Sequence, residues 1–167
     1  MNIRPIALAA ALLPALAPQT AAAGGPDPRN GLVGLWSTEI YASPAACTPG
    51  APPPPLTGRN TMVFNAGGTL VENPQVTPPG VPGAPQLRTF GLGKWSYDPR
   101  TTRYKVSLRF DWYASSDGLY LGYQVVDRTI LLSHDRKRAY GPVTSTRYAP
   151  DGSIVAKLCG QGISIRQ

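Results

Sequence analysis

Hydrophobic and polar residues alternate in short runs along most of this chain, and clusters of turn residues separate the runs. The alternation is clearest over residues 103–114, where every second position is large and apolar: Val106, Leu108, Phe110 and Trp112. Side chains two positions apart lie on the same face of a β-strand. No segment shows the three- and four-residue spacing of an amphipathic helix, so the pattern predicts an all-β protein.

The pattern predicts eight strands. They are expected at residues 32–42, 59–65, 69–76, 87–98, 103–114, 119–133, 139–148 and 153–159, and the last one can resume at 163–166 after the glycines at 160–162. Two proline-rich loops are expected at 43–58 and 77–86, because proline cannot donate to a strand ladder. The other connections are short turns, such as Ala-Pro-Asp-Gly at 149–152.

Short hairpins between consecutive strands favour an eight-stranded antiparallel up-and-down barrel. A barrel of this size is either filled by its own side chains or holds one small ligand. Closure also removes the sheet edges that would otherwise promote aggregation. A two-sheet β-sandwich is the alternative.

The first 23 residues have the composition of a signal peptide. A basic start with Arg4 is followed by an apolar run and a small-residue end at Ala23. The apolar run contains Pro14 and is shorter than the roughly 20 residues that span a bilayer. We therefore expect a cleaved signal peptide at 1–23, no membrane span, and a single exported domain at 24–167 that is periplasmic or secreted.

Cysteine count and charge narrow the classes of function. An oxidising compartment favours a disulfide between the two cysteines, Cys47 and Cys159. One histidine, His134, and two distant cysteines give no metal-ligand spacing, so no metal is expected. The net charge of +7 is spread along the chain rather than clustered, which predicts no nucleic-acid partner. The glycines at 91–94 are not followed by a helix, so no phosphate loop or cofactor is expected.

The motif Gly34-Leu35-Trp36 lies in the first predicted strand. A G-x-W motif at this place resembles the calycin barrels, which include lipocalins, fatty-acid-binding proteins and avidins, and the layout is similar to small secreted bacterial β-barrel proteins. The resemblance implies a lipocalin-like barrel in which Trp36 lies across the closed end. It also implies that Arg166 packs over Trp36 through a cation–π contact, and that the interior holds an apolar site.

The leading functional hypothesis is an exported protein that binds a small apolar or aromatic molecule, without a cofactor. Its wall contacts are expected from four aromatic residues: Trp36, Phe110, Trp112 and Tyr123. The charged residues of the fifth and sixth strands are expected to pair across the outer face of the barrel: Arg109, Asp111, Asp127 and Arg128.

Two other functions stay open. One is a cofactor-free isomerase, cyclase or lyase acting on a hydrophobic substrate, with catalytic candidates Glu39, Asp111, Tyr113 and Tyr123. A desolvated carboxylate beside Tyr or Arg in the cavity would favour such an enzyme, whereas an all-apolar cavity would argue against it. The other is a structural or inhibitory module that acts through the loops at 43–58 and 77–86, which a packed interior would favour.

Overall fold

The computed structural model describes residues 27–74 and 86–167. The signal peptide predicted at 1–23 lies outside these residues, as do positions 77–85 of the second proline-rich loop. The described residues form nine β-strands: β1 (Gly34–Ser43), β2 (Leu56–Phe64), β3 (Thr69–Pro74), β4 (Gln86–Arg88), β5 (Gly91–Asp98), β6 (Arg103–Ala114), β7 (Tyr120–Leu132), β8 (Arg138–Tyr148) and β9 (Ile154–Arg166). Two short 3₁₀ turns, Pro28–Asn30 and Ala45–Cys47, complete the described secondary structure.

Eight of these strands close into an antiparallel barrel. Hydrogen-bonded neighbours follow the order β1-β2-β3-β5-β6-β7-β8-β9, and β9 pairs back onto β1. The all-β barrel predicted from the sequence is therefore confirmed, and the sandwich alternative is wrong. Closure is also consistent with the calycin-like fold that the G-x-W motif implied.

The extra strand, β4, is one end of the predicted strand at 87–98. It pairs with the last residues of β6, and β5 pairs with the residues before them, so β4 and β5 lie end to end along one partner. Thr89 spans the break, because its backbone N–H donates to Asp111 O and its hydroxyl accepts from Asp111 N. The break turns Arg88 into the barrel mouth without opening the wall.

The last strand differs from its prediction. Residues 160–162 do not interrupt it, since Gly162 pairs with Ile40 of β1 and with Gly141 of β8 inside one continuous strand. A Cβ on Gly162 would lie 2.5 Å from Cζ of Arg128, so the missing side chain makes room for a guanidinium rather than for a turn. The first proline-rich loop is also shorter than predicted, because β2 already begins at Leu56.

The side chains that point into the barrel form one core. Strand β6 alternates buried and exposed positions from Arg103 to Phe110, as its sequence pattern predicts. The core is filled where β1 begins and β9 ends, and Leu32 and Trp36 are fully buried there. The residues that fill this end include Met62, Phe64, Leu70, Trp95, Tyr104 and Ile130.

The predicted disulfide is present between Cys47 and Cys159. It joins the 3₁₀ turn Ala45–Cys47 to β9, next to the end of β1, where Ser43 and Cys159 are backbone partners. The bond links positions 112 residues apart and so fixes the start of the barrel to its end. Across the described ranges, no helix is long and apolar enough to cross a bilayer.

Candidate functional site

Trp36 belongs to the filled end of the barrel and not to a ligand cavity. Its indole Nε1 donates a 2.8 Å hydrogen bond to Leu32 O. The guanidinium of Arg166 lies 4.3 Å from the Trp36 ring centroid, which is the cation–π contact that the resemblance implied. Arg166 also donates to the carbonyls of Gly31 and Val33, so this end is closed by backbone as well as side chains.

The opposite end of the barrel holds an open cavity of about 680 Å³. This volume lies within the range of roughly 300–1,000 Å³ that is typical of small-molecule sites. Its apolar lining includes Leu108, Phe110, Trp112, Val126, Val143 and Leu158. Its polar lining includes Asn60, Glu72, Arg88, Gln124, Ser145 and Arg147.

Two of the aromatic residues predicted to bind a ligand line this cavity together. The rings of Phe110 and Trp112 meet edge to face, with centroids 5.6 Å apart. Trp112 Nε1 donates to Gln124 Oε1 at 2.9 Å, and Gln124 Nε2 donates to the hydroxyl of Ser145. These hydrogen bonds fix the plane of the indole in the cavity wall.

A buried carboxylate lies in the same cavity. Glu72 is 1 % exposed and accepts a hydrogen bond from Nη2 of Arg88, whose guanidinium also lies 3.7 Å from the Phe110 ring centroid. Burial raises the pKa of Glu72, and the charge of Arg88 opposes part of that rise. Burial likewise lowers the pKa of Arg88. Asn60 and the backbone of Gly91 also lower the pKa of Glu72, although Oε1 of Glu72 accepts no hydrogen bond of ordinary geometry from the described residues.

Two further guanidiniums in the barrel form no ion pair with any described residue: those of Arg128 and Arg147. Arg147 lies 4.9 Å from the Trp112 ring centroid, and its buried Nε is unpartnered. Arg128 is 5 % exposed and donates from Nη1 to Ser164 Oγ at 3.1 Å. Its Nε and Nη2 are unpartnered, and burial lowers the pKa of Arg128 to about 10.

Glu39, a predicted catalytic candidate, lies on the outer wall. Its carboxylate accepts hydrogen bonds from the Tyr41 hydroxyl at 2.8 Å and from Arg59 Nε at 3.0 Å. Those two donors lower the pKa of Glu39, with the tyrosine hydroxyl contributing most. A solvated, ionised carboxylate of this kind stabilises the outer face.

The other catalytic candidates also lie outside the cavity lining. Asp111 accepts from Arg109 Nη2 at 3.0 Å, so these two residues pair along one strand, β6, and the expected ion pairing across strands is wrong for them. Tyr123, predicted both as a wall contact and as a catalytic group, stacks on Tyr148 with centroids 4.8 Å apart. Tyr113 packs against a further tyrosine of β7, Tyr120.

Sequence reasoning missed the polar residues of the interior, although the alternation carried a signal for them. Arg128 was expected on the outer face, yet it falls in the same two-residue register as Val126 and Ile130 and points inward. Glu72 shares its face with Leu70 in the same way. A charge in register with apolar residues is the signal that marks both as candidates, but the opposite face of each strand also carries apolar residues, so the alternation does not choose between the two faces.

Comparison with known proteins found no match: no family model, no curated protein and no solved structure corresponds to this chain. The described parts of the chain contain no group of three or more His, Cys, Asp or Glu side chains that could hold a metal ion. What the protein does must therefore be inferred from the barrel and its cavity.

Proposed function

We propose that this protein binds a small molecule with an apolar or aromatic body in the open end of its barrel. The observation that supports this function is the cavity of about 680 Å³ with Phe110 and Trp112 in its wall. Binding there would remove apolar ligand surface from water, at a gain of roughly 25 cal/mol for each Å². Gln124 and Ser145, which already hold the indole of Trp112, offer polar contacts that would orient the ligand.

The proposal places this binding outside the cytoplasm. A signal peptide at residues 1–23 would export the chain, and the bond between Cys47 and Cys159 is stable in an oxidising compartment. The closed antiparallel barrel suits a calycin-like carrier, because its walls shield a ligand while one end stays open.

Fluorescence titration tests the binding site with a neutral apolar probe, N-phenyl-1-naphthylamine. Two neighbouring positions of β9 provide a matched pair: Ala156 lines the cavity, whereas Val155 is 58 % exposed on the outer wall. We expect saturable binding to the wild type, at least about tenfold weaker binding to Ala156→Phe, and unchanged binding to Val155→Phe. A probe that does not bind the wild type, or that is indifferent to Ala156→Phe, would argue against this site.

A second candidate function is favoured by one observation, the buried Glu72 beside Arg88 in the cavity. A carboxyl group whose pKa is raised by burial is suited to accept and return a proton. The second proposal is thus a cofactor-independent isomerase, cyclase or lyase that acts on an apolar substrate. Its acid–base group would be Glu72 rather than Glu39, Asp111, Tyr113 or Tyr123.

Proton exchange tests the second candidate. The protein is incubated in D₂O with 2-tetralone, an apolar ketone with exchangeable protons, and deuterium uptake is followed by NMR. A catalytic Glu72 predicts exchange faster than in buffer, and a loss of about a hundredfold in Glu72→Gln. Exchange at the buffer rate would count against the enzyme and leave ligand binding as the function. The third hypothesis, a module that acts through the loops at 43–58 and 77–86, would be favoured by a packed interior, and the open cavity does not support it.

A further inference from the structure

The charges that face the barrel interior do not balance. Among the described residues, Glu72 is the only acidic side chain that is buried or lines the cavity. Arg88 and Arg147 line the same cavity, and Arg59 at the mouth is already paired with Glu39 outside it. Since Glu72 and Arg88 neutralise each other, the guanidinium of Arg147 is left as an excess positive charge in the cavity wall.

A second excess charge lies deeper in the barrel. Arg128 is one inward-facing position further from the mouth than Val126, and Val126 lines the cavity. Its hydrogen-bond partners are neutral: the Ser164 hydroxyl, and more weakly the sulfur of Met62 at 3.9 Å. Because no described acid pairs with Arg128, its field in the poorly solvated interior favours an anion above it.

The unpartnered atoms also indicate the shape of that anion. Nε of Arg147 is buried, whereas its two Nη groups are accessible and have no hydrogen-bond partner among the described residues, and the guanidinium lies over the Trp112 ring. The edge of a guanidinium formed by its two Nη groups presents two parallel N–H groups, which match the two oxygens of a carboxylate. A ligand bound by this edge would keep its apolar body beside Phe110 and Trp112.

We propose that the ligand of this cavity is an apolar or aromatic carboxylate, with its carboxylate bound by Arg147. This inference rests on the proposed binding function and names the chemical class of its ligand. Both excess charges favour such a ligand over a neutral one of equal shape, because its carboxylate replaces the solvent that the guanidiniums lose on burial.

The experiment compares two ligands of nearly the same shape, 2-naphthoate and the neutral 2-naphthalenemethanol, by displacement of N-phenyl-1-naphthylamine at pH 7.5. We expect the carboxylate to bind about tenfold to a hundredfold more tightly than the alcohol. Arg147→Gln should remove most of that preference, because the affinity for the carboxylate falls much further than the affinity for the alcohol. Arg147→Lys keeps the positive charge but loses the two parallel N–H groups of the guanidinium, so it should keep part of the preference for the carboxylate.

A matched control is available on the outer wall. Arg109 also lies over an aromatic ring, 4.0 Å from the Tyr123 centroid, but it is outside the cavity lining. Arg109→Gln should therefore leave both affinities unchanged. Equal binding of carboxylate and alcohol to the wild type, or a preference that is undiminished in Arg147→Gln, would overturn the assignment while the binding function stands. Failure of the neutral probe and of both naphthalene ligands to bind would instead overturn the binding function.

Discussion

Arg128 is the residue whose position is hardest to explain by stability alone. A guanidinium buried without an acid loses its hydration, and one hydrogen bond to Ser164 replaces only part of it. Buried charges are often less stable than well-packed apolar residues of similar volume. A stabilising substitution here would support a role for the charge in ligand binding.

We predict that Arg128→Met increases the free energy of unfolding by about 1–4 kcal/mol at pH 7. Ser164 keeps its hydrogen bond with Thr38, at 2.8 Å, so the substitution leaves no orphaned hydroxyl. Urea denaturation measures the change, and a less stable variant would contradict the prediction. A less stable variant would mean that Arg128 stabilises the fold, which would require a partner for its guanidinium that the described residues do not provide.

The same residue predicts a pH dependence. Burial lowers the pKa of Arg128 to about 10 in the folded protein, well below its value in the unfolded chain, so the unfolded chain holds this proton more tightly above about pH 10. The stability contributed by this group therefore rises with pH in the window that begins near pH 10. The advantage of Arg128→Met over the wild type should shrink across that window, as measured by urea denaturation at fixed pH steps.

Glu72 and Arg88 form a buried ion pair, so here removing one partner is expected to destabilise the protein. Arg88→Met leaves a buried carboxylate without a cation and should lower the free energy of unfolding at pH 7 by about 3 kcal/mol. Adding Glu72→Gln should recover most of that loss. A double-mutant cycle by urea denaturation measures the coupling, and additive single effects would show that the two residues do not interact.

The Arg88→Met variant should also respond to acid. Burial raises the pKa of Glu72 in the folded state, and removing the Arg88 charge raises it further. The folded state then binds the extra proton, so stability is greatest below about 4.5 and falls as pH rises through the folded pKa. The deficit of the variant relative to the wild type should thus be smallest near pH 4.

At the scale of elements, strand β9 shows how glycine allows close contact between strands. A Cβ at Gly160 would lie 1.8 Å from the backbone oxygen of Tyr41 on β1. A Cβ at Gly58 in β2 would meet no other atom within 4 Å, and the backbone of Gly58 has no positive φ. The two glycines therefore differ in packing although both lie in strands.

We predict that Gly160→Ala lowers the free energy of unfolding by about 1–3 kcal/mol, because β1 and β9 must move apart. Gly58→Ala serves as the control and should change stability by less than about 0.5 kcal/mol. Thermal or urea denaturation of the two variants measures the difference. Equal effects would show that β9 does not pack as tightly on β1 as described.

At the scale of the whole molecule, the disulfide joins the beginning and the end of the barrel. Replacing both Cys47 and Cys159 by Ser should lower the free energy of unfolding by about 4 kcal/mol, because the bond closes a loop of 112 residues. Reduction of the wild type by dithiothreitol should reproduce that loss in a urea titration. A change below about 1 kcal/mol would mean that the cross-link barely restricts the unfolded chain.

The two ends of the barrel differ in how they are packed. The filled end, around Trp36 and Arg166, holds the strands together, and the open end, around Phe110 and Trp112, holds the cavity. Of the four residues predicted as ligand contacts, the structure places these two aromatics in the wall, Trp36 in the filled end and Tyr123 outside. The G-x-W motif therefore marks the filled end of the barrel, opposite the cavity.

The sequence by itself determined the all-β class, the number of barrel strands and the disulfide. These features are local or nearly so. A two-residue alternation such as that of β6 sets the strand and its two faces, and a chain with two cysteines offers each of them one partner. The predicted strand limits lie close to the observed ones for the same reason. The exceptions are the strand predicted at 87–98, which Thr89 and Phe90 divide into β4 and β5, and β9, which continues through residues 160–162.

Only the tertiary structure decided which polar side chains face the cavity. Arg109 and Arg128 lie on the paired strands β6 and β7, and both strands carry apolar residues around them. Arg109 nevertheless faces water, whereas Arg128 faces the core. Likewise Glu72 meets Arg88 only because β3 and β4 come together at the mouth of the closed barrel. Alternation assigns side chains to two faces, but closure of the sheet chooses the inner one, and that choice depends on contacts between residues far apart in the chain.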